Sequence, residues 1–168
     1  TTSDTRDARS SLYATDIGTR DERPVAVPPT HADRIFRIAP DHSVSVALAS
    51  DSLQHPSGIV WDVRSRRFVV VSSGGSSIFS WRPGDAQPQR IGYNRGLMEG
   101  VAILPAGRML VTSWRDSSLT IRDADRLTVI KGFPTPAYVS VDTRRNHVAV
   151  PVPLENRVDI WAIPPAAR

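Results

Sequence analysis

Three segments of the 168-residue chain repeat one another. They are Pro56-Ser57-Gly58-Ile59-Val60-Trp61-Asp62, Met98-Glu99-Gly100-Val101-Ala102-Ile103-Leu104 and Pro136-Ala137-Tyr138-Val139-Ser140-Val141-Asp142, beginning 42 and then 38 residues apart. A turn and a second apolar run follow each, at Phe68 to Val71, Met109 to Val111 and Val148 to Val150. After a polar loop comes a third run, Ile78-Phe79-Ser80-Trp81, Leu119-Thr120-Ile121 and Val158-Asp159-Ile160-Trp161. Its alternation of apolar and polar residues is the mark of a half-buried strand. Two units add a fourth strand, near Gln89-Arg90-Ile91 and Leu127-Thr128-Val129-Ile130. No ten-residue window carries a helical stripe without Pro or Gly breaking it. Four-stranded units recurring about every 40 residues are the signature of a β-propeller.

The first unit is partial. Leu12 to Asp16 reads as a second strand, Ile35 to Ile38 as a third and Val44 to Leu48 as a fourth, with a proline-rich, charged insertion at residues 19–31. Residues 1–11 are polar without a strand pattern, and Pro164-Pro165 cannot continue a sheet. The reading is an incomplete blade at 12–52, whole blades at 53–95 and 96–133, a last blade at 134–164 without its outer strand, and a tail at 165–168. Three, four, four and three strands make the C-terminal portion of a larger propeller. Its open sheet edges then need a cover, either a missing N-terminal propeller segment or another chain.

Composition narrows the function classes. Of 21 basic residues 20 are arginine, Lys131 being the exception, and the net charge is only +4. The arginines are spread along the chain beside aspartates, as in Arg115-Asp116 and Asp125-Arg126, whereas a nucleic-acid reader gathers its positive charge on one face. No apolar run approaches the roughly 18–20 residues of a membrane-spanning helix. There is no cysteine, which excludes disulfides and thiolate metal sites. His31, His42, His55 and His147 fall into no paired ligand spacing, and no Ser-His-Asp grouping, phosphate loop or dinucleotide fingerprint is present.

The stretches Leu12-Tyr13-Ala14-Thr15-Asp16-Ile17-Gly18, Ala32-Asp33-Arg34-Ile35-Phe36-Arg37-Ile38, His55 to Asp62 and Glu155-Asn156-Arg157-Val158 resemble the six-bladed propellers of the gluconolactonase-like family, which includes senescence marker protein and luciferin-regenerating enzyme. NHL-repeat propellers look similar. The resemblance implies an extracellular or periplasmic location, with a cytoplasmic one left open by the sequence. It also implies a lactonase or esterase with one divalent cation (Ca, Mg or Zn) on the propeller axis. The family's ligands are a first-blade glutamate, an asparagine in an Asn-Gly step and an aspartate in a Pro-Asp-Gly step. The first has no counterpart here, the second matches Ser57-Gly58, and the third matches Met98-Glu99-Gly100. The third repeat has Ala137 at the same place.

Position alone makes Glu99 the leading candidate. It precedes an innermost strand, so its carboxylate faces the axial mouth, where it serves as metal ligand or general base, or pairs with Arg95 or Arg115. Ser57 is the auxiliary oxygen. Asp16, Trp114 and Arg115 are candidates for lining a ligand pocket at the same mouth, with turn capping the other role open to Asp16. The favoured function is a binding or scaffold module that holds a small ligand or a protein partner at the propeller face. The alternative is a divalent-metal-dependent lactone or ester hydrolase.

Overall fold

A computed structural model describes residues 11–16, 33–123 and 126–165. The polar stretch up to residue 10, the 19–31 insertion with His31, and residues 166–168 lie outside the described residues. The described residues form fourteen strands. The first sheet holds β1 (Leu12–Asp16), β2 (Arg34–Ile38) and β3 (Val44–Ala49), and the second β4 (Pro56–Asp62), β5 (Arg67–Ser72), β6 (Ser77–Trp81) and β7 (Gln89–Tyr93). The third holds β8 (Met98–Ile103), β9 (Met109–Ser113), β10 (Ser118–Asp123) and β11 (Arg126–Lys131), and the last β12 (Ser140–Asp142), β13 (His147–Val152) and β14 (Arg157–Ala162). Each sheet is an antiparallel meander in chain order. The fold is all-β, with the strand count per blade that the repeat predicts. Helical structure among the described residues is confined to three short 3-10 turns.

Blade stacking follows from the alternation of side chains along each strand. In β5, Phe68 and Val70 point one way and join Tyr13, Ile35 and Leu48 of the first blade. Val69 and Val71 point the other way and join Met98, Val101 and Val111 of the third blade. A strand buried on both faces has no polar side to show, which is why the sequence there reads Phe-Val-Val-Val without interruption. A third core joins Leu110, Leu119 and Ile121 to Val139, Val148 and Val150 of the last blade. Aromatic packing thickens the first core: the Tyr13 and Phe68 rings lie 4.5 Å apart, and Phe68 stacks on Trp81 at 6.0 Å. Trp81 satisfies its buried indole by donating to the Asp85 carbonyl at 3.0 Å. Burial of one such side chain contributes about 1.5–3 kcal/mol.

The two end blades each keep a bare face. Val158 takes the place in the last blade that Ile78 has in the second, yet Val158 is 58% exposed and Ile78 only 1%. Ile160 beside it is 63% exposed. On the first blade Leu12, Val44 and Val46 are also exposed.

One strand is shorter than its repeat predicts. The segment 136–142 aligns with β4 and β8, but β12 begins only at Ser140. Ser140 pairs with Ala149, so continuing the ladder would set Tyr138 opposite Pro151. Proline has no N–H to give, and the ladder stops there. A single bond from Ala137 N–H to the Pro151 carbonyl, 3.0 Å, holds the entrance of the blade.

Candidate functional site at the axial mouth

Meander topology brings the ends of β1, β5, β9 and β13 to the same side as the starts of β4, β8 and β12. Asp16, Ser57, Glu99, Trp114 and Arg115 therefore share one end of the blades. The register of both complete inner strands slips at this end, between Pro56 and Gly58 in β4 and between Met98 and Val101 in β8. Such bulges re-aim side chains and increase twist. Ser57 and Glu99 are bulge residues.

Hydrogen bonds lace these bulges together. The buried Ser57 hydroxyl lies 2.6 Å from the Met98 carbonyl of the next blade and 3.3 Å from that of Val71. The Ser57 carbonyl accepts from Thr15 Oγ1 at 2.8 Å and from the Tyr138 hydroxyl at 3.0 Å. One blade on, Gly100 N–H donates to Thr112 Oγ1 at 2.8 Å, and Thr112 donates to the Ala137 carbonyl at 3.0 Å. Thr15 and Thr112 hold equivalent places in their second strands, so the same stitch is used twice. Glycine at 58 and 100 lets the next blade's inner strand come close beside it. A Cβ on Gly58 would lie 2.7 Å from the Glu99 carbonyl oxygen, and one on Gly100 2.9 Å from Tyr138 Cα.

Tyr138 breaks the glycine pattern. It stands where the other repeats have Gly58 and Gly100, and its ring reaches from the last blade to the second, past the start of β8. Sequence reasoning overlooked it, although a tyrosine in a glycine position is a visible signal.

Glu99 is half-buried, and loss of hydration raises its carboxyl above the usual range. Among the described residues no hydrogen bond or ion pair reaches that carboxylate. Arg95 instead pairs with Asp116 at 3.1 Å. Burial, and then the charge of Glu99, raise the Tyr138 phenol, so the two groups sense one another. Trp114 follows β9, with its indole N–H on the Pro136 carbonyl at 3.0 Å and its backbone N–H on that of Leu97 at 2.9 Å. The exposed side chain of Arg115 runs past Gly96. Asp16 closes β1 opposite Arg34 in the register.

A second feature escaped the sequence. Gln54 and His55 both take left-handed backbone (φ 58° and 60°), a costly conformation for non-glycine residues. Buried Asp33 supports it: its carboxylate accepts from His55 N–H at 2.8 Å and lies 3.7 Å from His55 Nδ1. Ser73 and Gly74 N–H donate to the His55 and Gln54 carbonyls, both at 2.9 Å. Gly74 has no room for a Cβ against Gln54, whose carbonyl oxygen would be 2.8 Å away.

The divalent cation implied by the resemblance needs several oxygen ligands. Among the described residues no three His, Cys, Asp or Glu side chains gather. Glu99 is one suitable oxygen ligand, while the Ser57 hydroxyl faces protein carbonyls and its carbonyl already accepts two hydroxyls. These residues do not by themselves make a metal site. A depression of about 670 Å³ lies elsewhere, on the bare face of the last blade, lined by Ser140, Asp142, Arg144, His147 and Ile160.

Solved structures with the same blade arrangement can now be set beside this geometry. The gluconolactonase XC5397 of Xanthomonas campestris matches with a TM-score of 0.65 at 21% identity, over 88% of this chain and 52% of its own. A luciferin-regenerating enzyme matches with a TM-score of 0.67 at 12% identity, over 87% and 51%. A virginiamycin B lyase from Staphylococcus aureus matches with a TM-score of 0.52 at 12% identity, over 77% and 48%. The fold is that of the gluconolactonase-like propellers. The chain spans about half the length of these structures. No protein-family model and no curated protein matches it.

Proposed function

We propose that the chain is a ligand-holding propeller module whose axial mouth, around Glu99, takes a small molecule. One observation carries this reading: a bulge holds a partly dehydrated carboxylate at the mouth, with no counter-charge among the described residues. Dehydrating a carboxylate without a partner is unfavourable, and such groups concentrate where a ligand supplies what is missing. The bare faces of the end blades, on a chain half the length of the propellers it resembles, support completion of the ring by further blades. The test is a ligand screen by one-dimensional NMR on the wild-type chain and Glu99→Gln. Hits that vanish in the variant support the reading, and a screen with no Glu99-dependent hit overturns it.

The second reading is the metal-dependent lactone or ester hydrolase. It rests on Glu99 standing at the family's metal-ligand step and on likeness to gluconolactonase structures. The remaining ligands would come from beyond the described residues. Lactone hydrolysis that disappears with chelator and with Glu99→Gln supports it, and hydrolysis that survives chelator removes the metal from it.

A further inference from the structure

We infer that the bare face of the last blade docks the first blade of a second copy of this chain. The inference goes beyond the ligand at the mouth and names the source of the further blades that complete the ring.

Each junction between blades joins two kinds of face, and the molecule makes that junction three times. One blade offers the face that carries Tyr13, Val69 or Leu110, and the next answers with the face that carries Phe68, Val111 or Val150. The last blade keeps a face of the first kind uncovered, and the first blade a face of the second kind. Strand register identifies both. Ser140, Ala149 and Ile160 are cross-strand neighbours on the last blade, as Ala102, Leu110 and Ile121 are on the third. Ala14, Phe36 and Val46 are cross-strand neighbours on the first blade, where Phe36 takes the place that Phe79 has on the second. One copy thus carries both halves of a junction, each without its counterpart among the described residues.

Both faces depart from the repeat, and the departures match. At the first two inner strands a glycine admits the next blade, with Glu99 O against Gly58 and Tyr138 Cα against Gly100. Hydroxyls of Thr15, Ser57 and Thr112 then bond to carbonyls at the entrance of that blade. The last blade has Tyr138 at the glycine place, and Ala137 and Pro151 at the hydroxyl places. It therefore neither admits a close inner strand nor stitches to one. The first blade brings none: its inner edge among the described residues is β1, which Thr15 marks as a second strand by its equivalence to Thr112 of β9. Size also fits. Ser140 and Ala149 stand where the second blade has Val60 and Val69, and both line the depression of about 670 Å³. The first blade offers a raised apolar surface in return, with Leu12, Val44 and Val46 exposed beside Phe36. Removing these surfaces from water drives the docking. Two such docks close a two-fold ring of eight sheets, within the four to eight blades that propellers adopt and wider than the family's six.

Sedimentation equilibrium on the full 168-residue chain, over about a hundredfold range of concentration, tests the inference. A pair of about twice 18.4 kDa is expected. Val46→Lys and Ile160→Asp each alter an exposed side chain and put an unpaired charge into both docks of a pair. Each is expected to weaken association at least about hundredfold. Mixing the two variants should restore the pair, because a mixed pair has one unaltered dock and one in which opposite charges meet. A wild-type chain that stays monomeric, or whose mass climbs past two copies, overturns the inference. So does a mixture that fails to pair while NMR shows both variants folded. Loss of pairing in Ile160→Asp but not in Val46→Lys means that last blades meet each other, and also overturns it. A monomer that keeps Glu99-dependent ligand binding leaves the ligand-holding reading standing.

Discussion

Replacing Gly100 by alanine tests whether blades approach as closely as the bulge stitch requires. The added Cβ would sit 2.9 Å from Tyr138 Cα, 2.9 Å from Val139 N and 3.0 Å from Ala137 O. All three belong to the backbone of the next blade, so no rotamer change relieves them. Ordinary contact begins near 3.4 Å, and the last blade must retreat by about 0.5 Å. Torsional strain is not part of the cost, because Gly100 is not among the positive-φ glycines. Overpacking of this kind costs about 1–3 kcal/mol. Weakening the Gly100–Thr112–Ala137 stitch adds about 1 kcal/mol, while reduced freedom of the unfolded chain returns about 0.4–1 kcal/mol. The net expectation is a loss of about 2 kcal/mol, or about 4–8 °C in Tm for a chain of this size. Urea unfolding should show a lower midpoint with an unchanged slope. Gly75→Ala is the control. Its Cβ would meet Oε1 of Gln54, the free end of a side chain that can turn away, so a change within about 0.5 kcal/mol is expected. If Gly100→Ala matched that control, the blades would not be in the close contact described and the stitch would carry no weight.

Other outcomes follow from the same structure. Burial raises the Glu99 carboxyl above its ordinary 4.5, so between the unfolded and folded values the folded state binds more protons and stability falls as pH rises through that window. Glu99→Gln should therefore be more stable than the wild type at neutral pH, and the gap should close below pH 4.5 in urea midpoints measured across pH. Phe68→Ala, which empties the joint between the first and second blades, should cost about 3–5 kcal/mol in the same assay. Asp33→Ala strips the acceptor from His55 N–H and should cost about 1–3 kcal/mol, with Asp33→Asn costing less because an amide oxygen can still accept.

Much of the fold was legible because propeller blades are local. Each strand pairs with its neighbour in the chain, so the apolar runs and turns at 56–81 and 98–121 announce meanders without help from distant residues. The repeat also located Glu99 and Ser57 at the entrance of inner strands. It left open whether Arg95 neutralises Glu99, four residues further on, and only the folded loops give Arg95 to Asp116, 21 residues away. Tyr138 and Ser57 are 81 residues apart, and no short-range pattern reports that a side chain of the last blade reaches the second. The Asp33–His55 support was hidden for a similar reason: it crosses from one blade to the next and depends on a left-handed pair of residues that neither glycine nor asparagine advertises.

Period-two alternation, glycine at the bulges and the 42- and 38-residue spacings already dictated four antiparallel sheets stacked through apolar faces. Backbone hydrogen bonding and hydrophobic burial act between near neighbours in such a chain, and a linear pattern records them. The chemistry of the mouth was decided elsewhere. Which donors are consumed, which carboxylate has no partner among the described residues and which ring reaches past its neighbouring blade depend on contacts between blades. Those contacts come from the angle and distance at which apolar faces pack, and side-chain polarity along the chain does not encode them one residue at a time.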